Sequence, residues 1–180
     1  RDDAAAALHL RSLSMYPDFC ARLLDETGID PEYERSGELE LAFDDHGLSI
    51  LRSDAQTGRD HVMPDGRAAY EIHSAERTRS LEPLVSPNVI GSMECRETAQ
   101  VRNPRLLRAL QSACIRTGVD ILENTPVQDF LIDDNRVTGV QTETGTVSAP
   151  NVVLCAGAWS SQIGDRLRTL MPVHPVRGQM

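Results

Sequence analysis

A chain of 180 residues is long enough to bury a core, and it fits one ordinary domain or parts of two. Its formal net charge of −9 argues against a nucleic acid or an anionic membrane surface as partner, and no stretch approaches the roughly 18 apolar residues of a membrane span. All 18 basic residues are arginines, which excludes a Schiff-base lysine or a P-loop lysine within these residues.

The cysteines and histidines are scattered along the chain without the spacing of metal ligands. We therefore predict no metal site. The cysteines are expected to be reduced thiols of a cytoplasmic protein. These residues are Cys20, Cys95, Cys114 and Cys155, and His9, His46, His61, His73 and His174.

The first half of the chain opens with a helical pattern. Residues 2–27 are predicted to form a helix that ends at Gly28, with Pro17 kinking or dividing it. Three further elements are predicted before residue 102: a helix that begins within 48–52, a helix capped by Ser74 that runs to Leu81, and an extended segment over 89–101.

A strand is also predicted in this half, from strict alternation over residues 38–43. The alternation places Leu39, Leu41 and Phe43 on the inward face. The four residues 44–47 are expected to form a turn that closes the strand.

The second half begins with Asn103 as a helix N-cap, followed by Pro104 at the first helical position. Gly118 ends this helix, whose apolar face is predicted to contain Leu106, Leu107, Leu110 and Cys114. Afterwards the pattern predicts a short strand at 119–123, an antiparallel meander over 125–149 and a buried strand at 152–154.

The buried strand runs into the small-residue sequence Cys155-Ala156-Gly157-Ala158, and a helix-like segment follows. Small residues at the carboxyl end of a strand allow the backbone to approach a flat, bulky group. Open α/β sheets bind cofactors at such positions. The pattern therefore indicates a cofactor enzyme.

Six segments stand out by their order and spacing: Leu81-Glu82-Pro83, the helix entry at 101–110, Thr125-Pro126-Val127, the meander residues 137–145, the small-residue segment at 153–160 and the run at 172–180. Together they resemble the D-amino-acid-oxidase-like flavoenzymes, and among them the bacterial glycine oxidases of thiamine biosynthesis. The resemblance is weak before residue 80 and strong after residue 100.

This resemblance implies an α/β fold: part of a FAD-binding Rossmann-like domain, with parallel strands plus an antiparallel β-meander, and part of an α+β substrate domain. Residues 1–102 would belong to the substrate domain and residues 103–170 to the FAD-binding domain. Residues 171–180 would form a strand returning toward the substrate domain. The family's Gly-x-Gly-x-x-Gly turn and its substrate-carboxylate arginine are absent from these residues, so we expect a middle segment of a longer protein that is inactive by itself.

The activity that the resemblance implies is FAD-dependent oxidative deamination of a small amino acid or secondary amine. Hydride would pass from the substrate Cα to flavin N5, giving an imine and, with dioxygen, hydrogen peroxide. A D-amino-acid dehydrogenase, a sarcosine oxidase-like enzyme and a non-catalytic nucleotide-binding domain are the alternatives. The substrate, the electron acceptor and the oligomeric state, including a homo-oligomer, are left open.

Several residues are implied to contact the FAD cofactor. Val127 would hold the adenine edge through its backbone N–H and C=O, or it faces the core as an ordinary strand residue. Cys155, Ala156 and Gly157 would allow close approach of the backbone to the cofactor, or they serve helix–strand packing. No catalytic residue is predicted, because the cofactor itself carries the chemistry.

Three more positions have two interpretations each. Trp159 lies along the adenosine–pyrophosphate part of FAD, or it packs on the sheet. Arg177 lies near the flavin ring, or it is a solvated charge at an edge, and Gly178 would let the chain pass the ring.

Overall fold

The computed structural model describes residues 4–63, 65–167 and 169–178. It divides the chain into two compact units, Arg1–Asp120 and Ile121–Met180. The first unit contains four helices and a three-stranded sheet: α1 (Ala4–Thr27), β1 (Glu38–Ala42), α2 (Asp45–Thr57), β2 (Tyr70–Ser74), α3 (Ala75–Leu81), β3 (Gly91–Cys95) and α4 (Asn103–Arg116).

The long first helix confirms the sequence prediction over its described residues. Pro17 lies inside α1 but does not divide it, and Gly28 follows the helix with a φ of 72°. This left-handed conformation is open to glycine without steric cost and ends the helix. Helix α1 packs against α4 and buries Cys20 and Leu23.

The sheet of the first unit has the order β1-β3-β2, and both pairings are antiparallel. Directly paired residues share a face of a sheet, so the register separates two faces. On one face Ala42 and Met93 form a core with Leu51 of α2. On the other face the fully buried Thr78 of α3 lies against Ser92.

The inward position predicted for Phe43 is wrong, because β1 ends at Ala42 and the Phe43 side chain is 53 % exposed. Asp44 is the N-cap of α2, and its side chain accepts a hydrogen bond from the backbone N–H of Gly47 at 2.7 Å. The segment predicted to be a turn is therefore a cap and the first turn of a helix. Capping redirects the chain before Phe43 can join the strand.

The helix that begins near Asn103 is confirmed, with a shift of its first residue. Arg102 occupies the N-cap position without a side-chain hydrogen bond, and Asn103 is already helical. Ala109 is fully buried, whereas Leu107 is 66 % exposed, so Leu107 does not belong to the packed face. Gly118, with a φ of 80°, follows the helix end as predicted.

The second unit is built on the predicted antiparallel meander. Strands β4 (Val127–Asp133), β5 (Arg136–Thr142) and β6 (Gly145–Ser148) pair in that order. Asp134 and Asn135 connect the first two strands with φ values of 45° and 60°. Both residue types tolerate the left-handed region, which the tight hairpin turn requires.

The two predicted parallel strands do not form. Residues 119–123 and 151–155 have no strand partner among the described residues, and Val153, expected to be buried, is 83 % exposed. A strand exists only where a neighbour completes its ladder of backbone hydrogen bonds, which an apolar run by itself does not supply. Residues 171–178 likewise pair with no strand in the part of the chain described.

Candidate functional site

The small-residue segment at 155–159, called the crossing below, makes a sharp turn into a helix. A short 3₁₀ helix spans Gly157–Trp159, and α5 follows at Ser160–Arg166. The backbone N–H of Trp159 donates to the carbonyl of Ala156 at 3.0 Å. Gly157 has a φ of 53°, a conformation that other residues adopt at a cost.

The crossing leaves an open surface within its unit. A Cβ added to Gly157 would meet no atom within 4 Å, the thiol of Cys155 is exposed, and Trp159 is 67 % exposed. The sequence thus brings a small-residue backbone and one aromatic ring to an accessible position. The role of this segment in binding a cofactor stays a prediction, and the strand expected to precede it is unpaired among the described residues.

Val127 lies at the start of β4, opposite Thr142. Its carbonyl accepts a hydrogen bond from Nη1 of Arg166, the last residue of α5, at 3.4 Å. This contact ties the start of the meander to the helix that follows the crossing. Sequence reasoning missed Arg166, because nothing in the local pattern marks a contact across 39 residues.

The structure does not bring Arg177 and Gly178 into a sheet. Both residues are exposed, and a Cβ on Gly178 would meet nothing within 4 Å. Upstream, the N–H of Val173 donates to the carbonyl of Met171 at 2.8 Å, which indicates a tight turn. Gln179 and Met180, which follow in the same motif, lie outside the described residues.

The crossing fits the flat parts of a dinucleotide better than its phosphates. The left-handed Gly157 and the open space around it allow a ring system to approach the backbone. Residues 152–159 carry no charged side chain that could pair with a pyrophosphate. If FAD lay at this position, the segment would offer a surface for a planar group, and the pyrophosphate would need donors from other residues.

A second cluster, in the first unit, was not predicted from the sequence. His73 is buried, with a side chain 5 % exposed, and its Nε2 lies 2.8 Å from Oε2 of Glu94. Nδ1 of His73 lies 4.0 Å from Oε1 of Glu71. Nη2 of Arg96 donates to both carboxylates, at 2.5 Å to Glu71 and 2.7 Å to Glu94.

The three residues Glu71, His73 and Glu94 offer ligand atoms within 4.8 Å of one another, as a metal site would require. The guanidinium of Arg96, however, already donates to both carboxylates and offsets part of their negative charge. Its hydrogen bond is the main reason why the pKa of Glu71 is lowered from its ordinary value. The cluster is therefore an ion-pair network that compensates two like charges facing each other across β2 and β3.

One sequence signal could have found this network. Glu71 and His73 are two residues apart, as are Glu94 and Arg96, and residues at this spacing share one face of a strand. Only the pairing of β2 with β3 brings Glu71 and His73 next to Glu94 and Arg96.

Comparison with known proteins identifies the family. The model of the family "DAO: FAD dependent oxidoreductase" matches residues 1–180. The chain belongs to this family of FAD-dependent oxidoreductases. FAD is thus the cofactor of its family. The mixed α/β fold that the resemblance implied is confirmed, although the sheets of the described residues are antiparallel and the predicted parallel strands are unpaired there.

Individual relatives agree with this assignment. A glycine oxidase of Pseudomonas putida KT2440 is 37 % identical over 181 residues, covering 98 % of this chain and 46 % of that protein. The bifunctional protein ThiO/ThiG of Trichormus variabilis is 31 % identical over 179 residues, covering 99 % of this chain and 26 % of that protein. The crystal structure of glycine oxidase from Bacillus cereus superimposes with a TM-score of 0.75 at 28 % identity, covering 91 % of this chain and 44 % of that one.

The chain spans about half the length of the glycine oxidases it matches. Among the described residues, no helix is both long and apolar enough to cross a membrane.

Proposed function

We propose that the full-length protein is a glycine oxidase-like enzyme, which oxidises a small amino acid or secondary amine with FAD. The observation that supports this most strongly is similarity to glycine oxidase along nearly the whole chain. The similarity is present both in the sequence and in the fold. A role in thiamine biosynthesis is part of the same proposal.

When bound, FAD would accept a hydride from the substrate Cα and pass the electrons to dioxygen, so that an imine and hydrogen peroxide leave the enzyme. The residues of this chain would hold the cofactor. Val127 would present its backbone N–H and C=O to the adenine edge, with Arg166 holding the start of β4 in place. Cys155, Ala156 and Gly157 would let the backbone lie close to the cofactor.

Three further residues, Trp159, Arg177 and Gly178, would also lie beside the cofactor. Trp159 would lie along the adenosine–pyrophosphate part of FAD, where its exposed ring can make contact. Arg177 would lie near the flavin ring, and Gly178 would let the chain pass it. No general acid or base of the protein is needed for hydride transfer, so we assign no catalytic residue to this chain.

The domain assignment is part of this proposal. Residues 1–102 would contribute to the substrate domain, residues 103–170 to the FAD-binding domain, and residues 171–180 would return toward the substrate domain. The substrate would be a small molecule and the electron acceptor dioxygen.

The test uses the full-length protein. After purification, its flavin content is measured by absorbance, and peroxide release is followed with glycine, sarcosine, D-alanine and D-proline. We expect bound FAD and peroxide release, with glycine among the substrates. The same protein stripped of flavin serves as the background control.

A parallel assay without oxygen, with an artificial dye as electron acceptor, separates oxidases from dehydrogenases. Dye reduction with D-amino acids but no peroxide in air would favour a D-amino-acid dehydrogenase. A correctly folded protein that binds no flavin would contradict the proposed function and favour a non-catalytic domain.

A further inference from the structure

The first unit contains an open cavity of about 700 Å³ that the proposed FAD contacts do not use. It lies among α1, α2 and the sheet. Its apolar lining is formed by Leu10, Met93 and the ring of Tyr70, and its carboxylates are Glu40, Asp54 and Asp60. Thus apolar surface and negative charge occur in one cavity.

A smaller cavity of about 270 Å³ shares Leu10 and Tyr70 with the first one and is lined in addition by Glu38 and Glu97. The Glu97 side chain is only 14 % exposed. Its Oε2 is buried and accepts no hydrogen bond, although Nδ1 of His61 lies 3.0 Å away. A buried carboxylate oxygen is stabilised by a donor or a positive charge beside it. Here His61 is the neighbouring group that can supply one, and a ligand cation would be a second partner.

The ring of Tyr70 is held in place between these cavities. A Cβ on Gly58 would lie only 2.6 Å from two ring carbons, so only glycine lets α2 end against this ring. Burial raises the pKa of Tyr70, and the nearby Cys95, Glu97 and Glu40 raise it further. An aromatic ring thus lies in a region of negative potential.

The described lining residues of the two cavities include no arginine. Among the described residues, the basic groups at the larger cavity are His61, which lines it, and Arg59 at its edge. Nε of Arg59 lies 3.5 Å from Asp60, and both of these side chains are largely exposed. Of the two carboxylates beside the Tyr70 ring, Glu97 already has Nδ1 of His61 at 3.0 Å. The negative charge without an ion pair among the described residues is therefore that of Glu40. This charge repels the carboxylate of an amino acid and attracts a cation.

We propose that the larger cavity, where it adjoins the smaller one at Leu10 and Tyr70, binds a small organic ammonium ion. The cation would lie over the ring of Tyr70, with Glu40 and Glu97 balancing its charge, and its apolar part would contact Leu10 and Met93. The proposal does not depend on the proposed oxidase activity. It concerns residues that are distinct from the crossing at 155–159.

The experiment measures binding of benzyltrimethylammonium to the full-length protein by calorimetry. This probe has no N–H bond and no nitrogen lone pair, so the proposed oxidation cannot convert it to a neutral imine. Benzyl alcohol and benzenesulfonate serve as a neutral and an anionic comparison. We expect the ammonium probe to bind at least about threefold more tightly than either comparison compound.

Variants locate the site. Glu40→Gln and Tyr70→Leu should each weaken binding of the probe roughly threefold or more, because one removes a charge and the other the ring. Glu26→Gln, on an exposed part of α1, removes the same charge outside the cavities and should leave binding unchanged. Thermal unfolding of every variant reports whether it is folded, and Glu97→Gln replaces any variant that is not.

Equal binding of the three compounds would overturn the proposal, and so would folded cavity variants that bind the probe like the wild type. Peroxide release from glycine, measured on the same samples, tests the proposed oxidase activity separately. Selective probe binding without oxidase activity would contradict only the proposed function, whereas activity without probe binding would contradict only the cavity proposal.

Discussion

The hydroxyl of Thr78 lies 2.8 Å from the hydroxyl of Ser92, and both side chains are fully buried. This contact joins α3 to the central strand β3 of the first sheet. Thr78 Oγ1 also donates to the carbonyl of Ser74 at 2.8 Å, so the Ser92 hydroxyl must be the donor of the shared hydrogen bond. Removal of the Thr78 hydroxyl therefore leaves the Ser92 hydroxyl without its acceptor, whereas removal of the Ser92 hydroxyl leaves Thr78 bonded to Ser74.

Thr78→Val should destabilise the full-length protein more than Ser92→Ala. The valine leaves the Ser92 hydroxyl buried without its acceptor, which costs about 1–3 kcal/mol. Ser92→Ala leaves Thr78 bonded to Ser74, so we expect a loss near 1 kcal/mol. Urea denaturation of the two variants measures the difference.

The double variant provides the control for this reasoning. With both hydroxyls removed no buried donor is left unpaired, so Thr78→Val with Ser92→Ala should lose less than the two single losses combined. Simple additivity would show that the hydrogen bond does not couple the two residues.

Gly58→Ala should lower stability by about 1–3 kcal/mol, because the added Cβ lies 2.6 Å from the ring of Tyr70 and the ring must move. Gln56→Ala, at an exposed position of the same helix, is the matched control and should change stability by no more than about 0.5 kcal/mol. Thermal unfolding compares the two. A Gly58→Ala protein as stable as the control would mean that Tyr70 is not held against α2.

Glu71→Gln should lower stability at neutral pH by about 0.5–1 kcal/mol, a modest value because half of the Glu71 side chain is exposed. The hydrogen bond from Arg96 holds the pKa of Glu71 below its ordinary value. Its contribution is therefore present above the unfolded-state pKa and is lost as the pH falls through the folded-state pKa.

The pH dependence of this variant is the sharper measurement. The difference between wild type and Glu71→Gln, taken from urea midpoints, should be largest near neutral pH and disappear in acid below the folded-state pKa. Glu26→Gln should show no comparable trend. A difference that grows as the pH falls would have the wrong sign for this ion pair.

Gly157→Leu should weaken FAD binding in the full-length protein relative to Gly157→Ala. Both variants strain the left-handed backbone at this position equally, but only leucine fills the open space beside the crossing. The leucine would meet no protein atom in that space, so it would conflict only with a cofactor lying against the backbone, at a cost of about 1–3 kcal/mol. Flavin dissociation constants of the two variants give the comparison, and equal values would count against the crossing as a surface for the cofactor.

Local chemistry explains which elements were predictable. Gly28 and Gly118 end their helices where the sequence indicates, and Ser74 caps α3 by accepting a hydrogen bond from the N–H of Arg77. The hairpin turn at Asp134 and Asn135 is equally local. In each case the deciding interaction joins residues only a few positions apart.

Non-local contacts explain the errors. The apolar run at 152–154 has the composition of a buried strand, yet burial needs a partner strand, and among the described residues it has none. Phe43 has the correct alternation, but the cap formed by Asp44 ends the strand one residue earlier. The alternation of apolar and polar residues indicates which side chains share a face of the strand, but it does not indicate where the strand pairing ends.

By itself the sequence determined where α1 and α4 end, the meander, and the motifs that identify the FAD-dependent oxidoreductase family, because each depends on residues close together in the chain. Only the tertiary structure decided that Glu71, His73, Glu94 and Arg96 form one network. It also decided that Gly58 packs on Tyr70. These contacts cross from one strand or helix to another, so they exist only after the pairing of β2 with β3 and the packing of α2 have set the register.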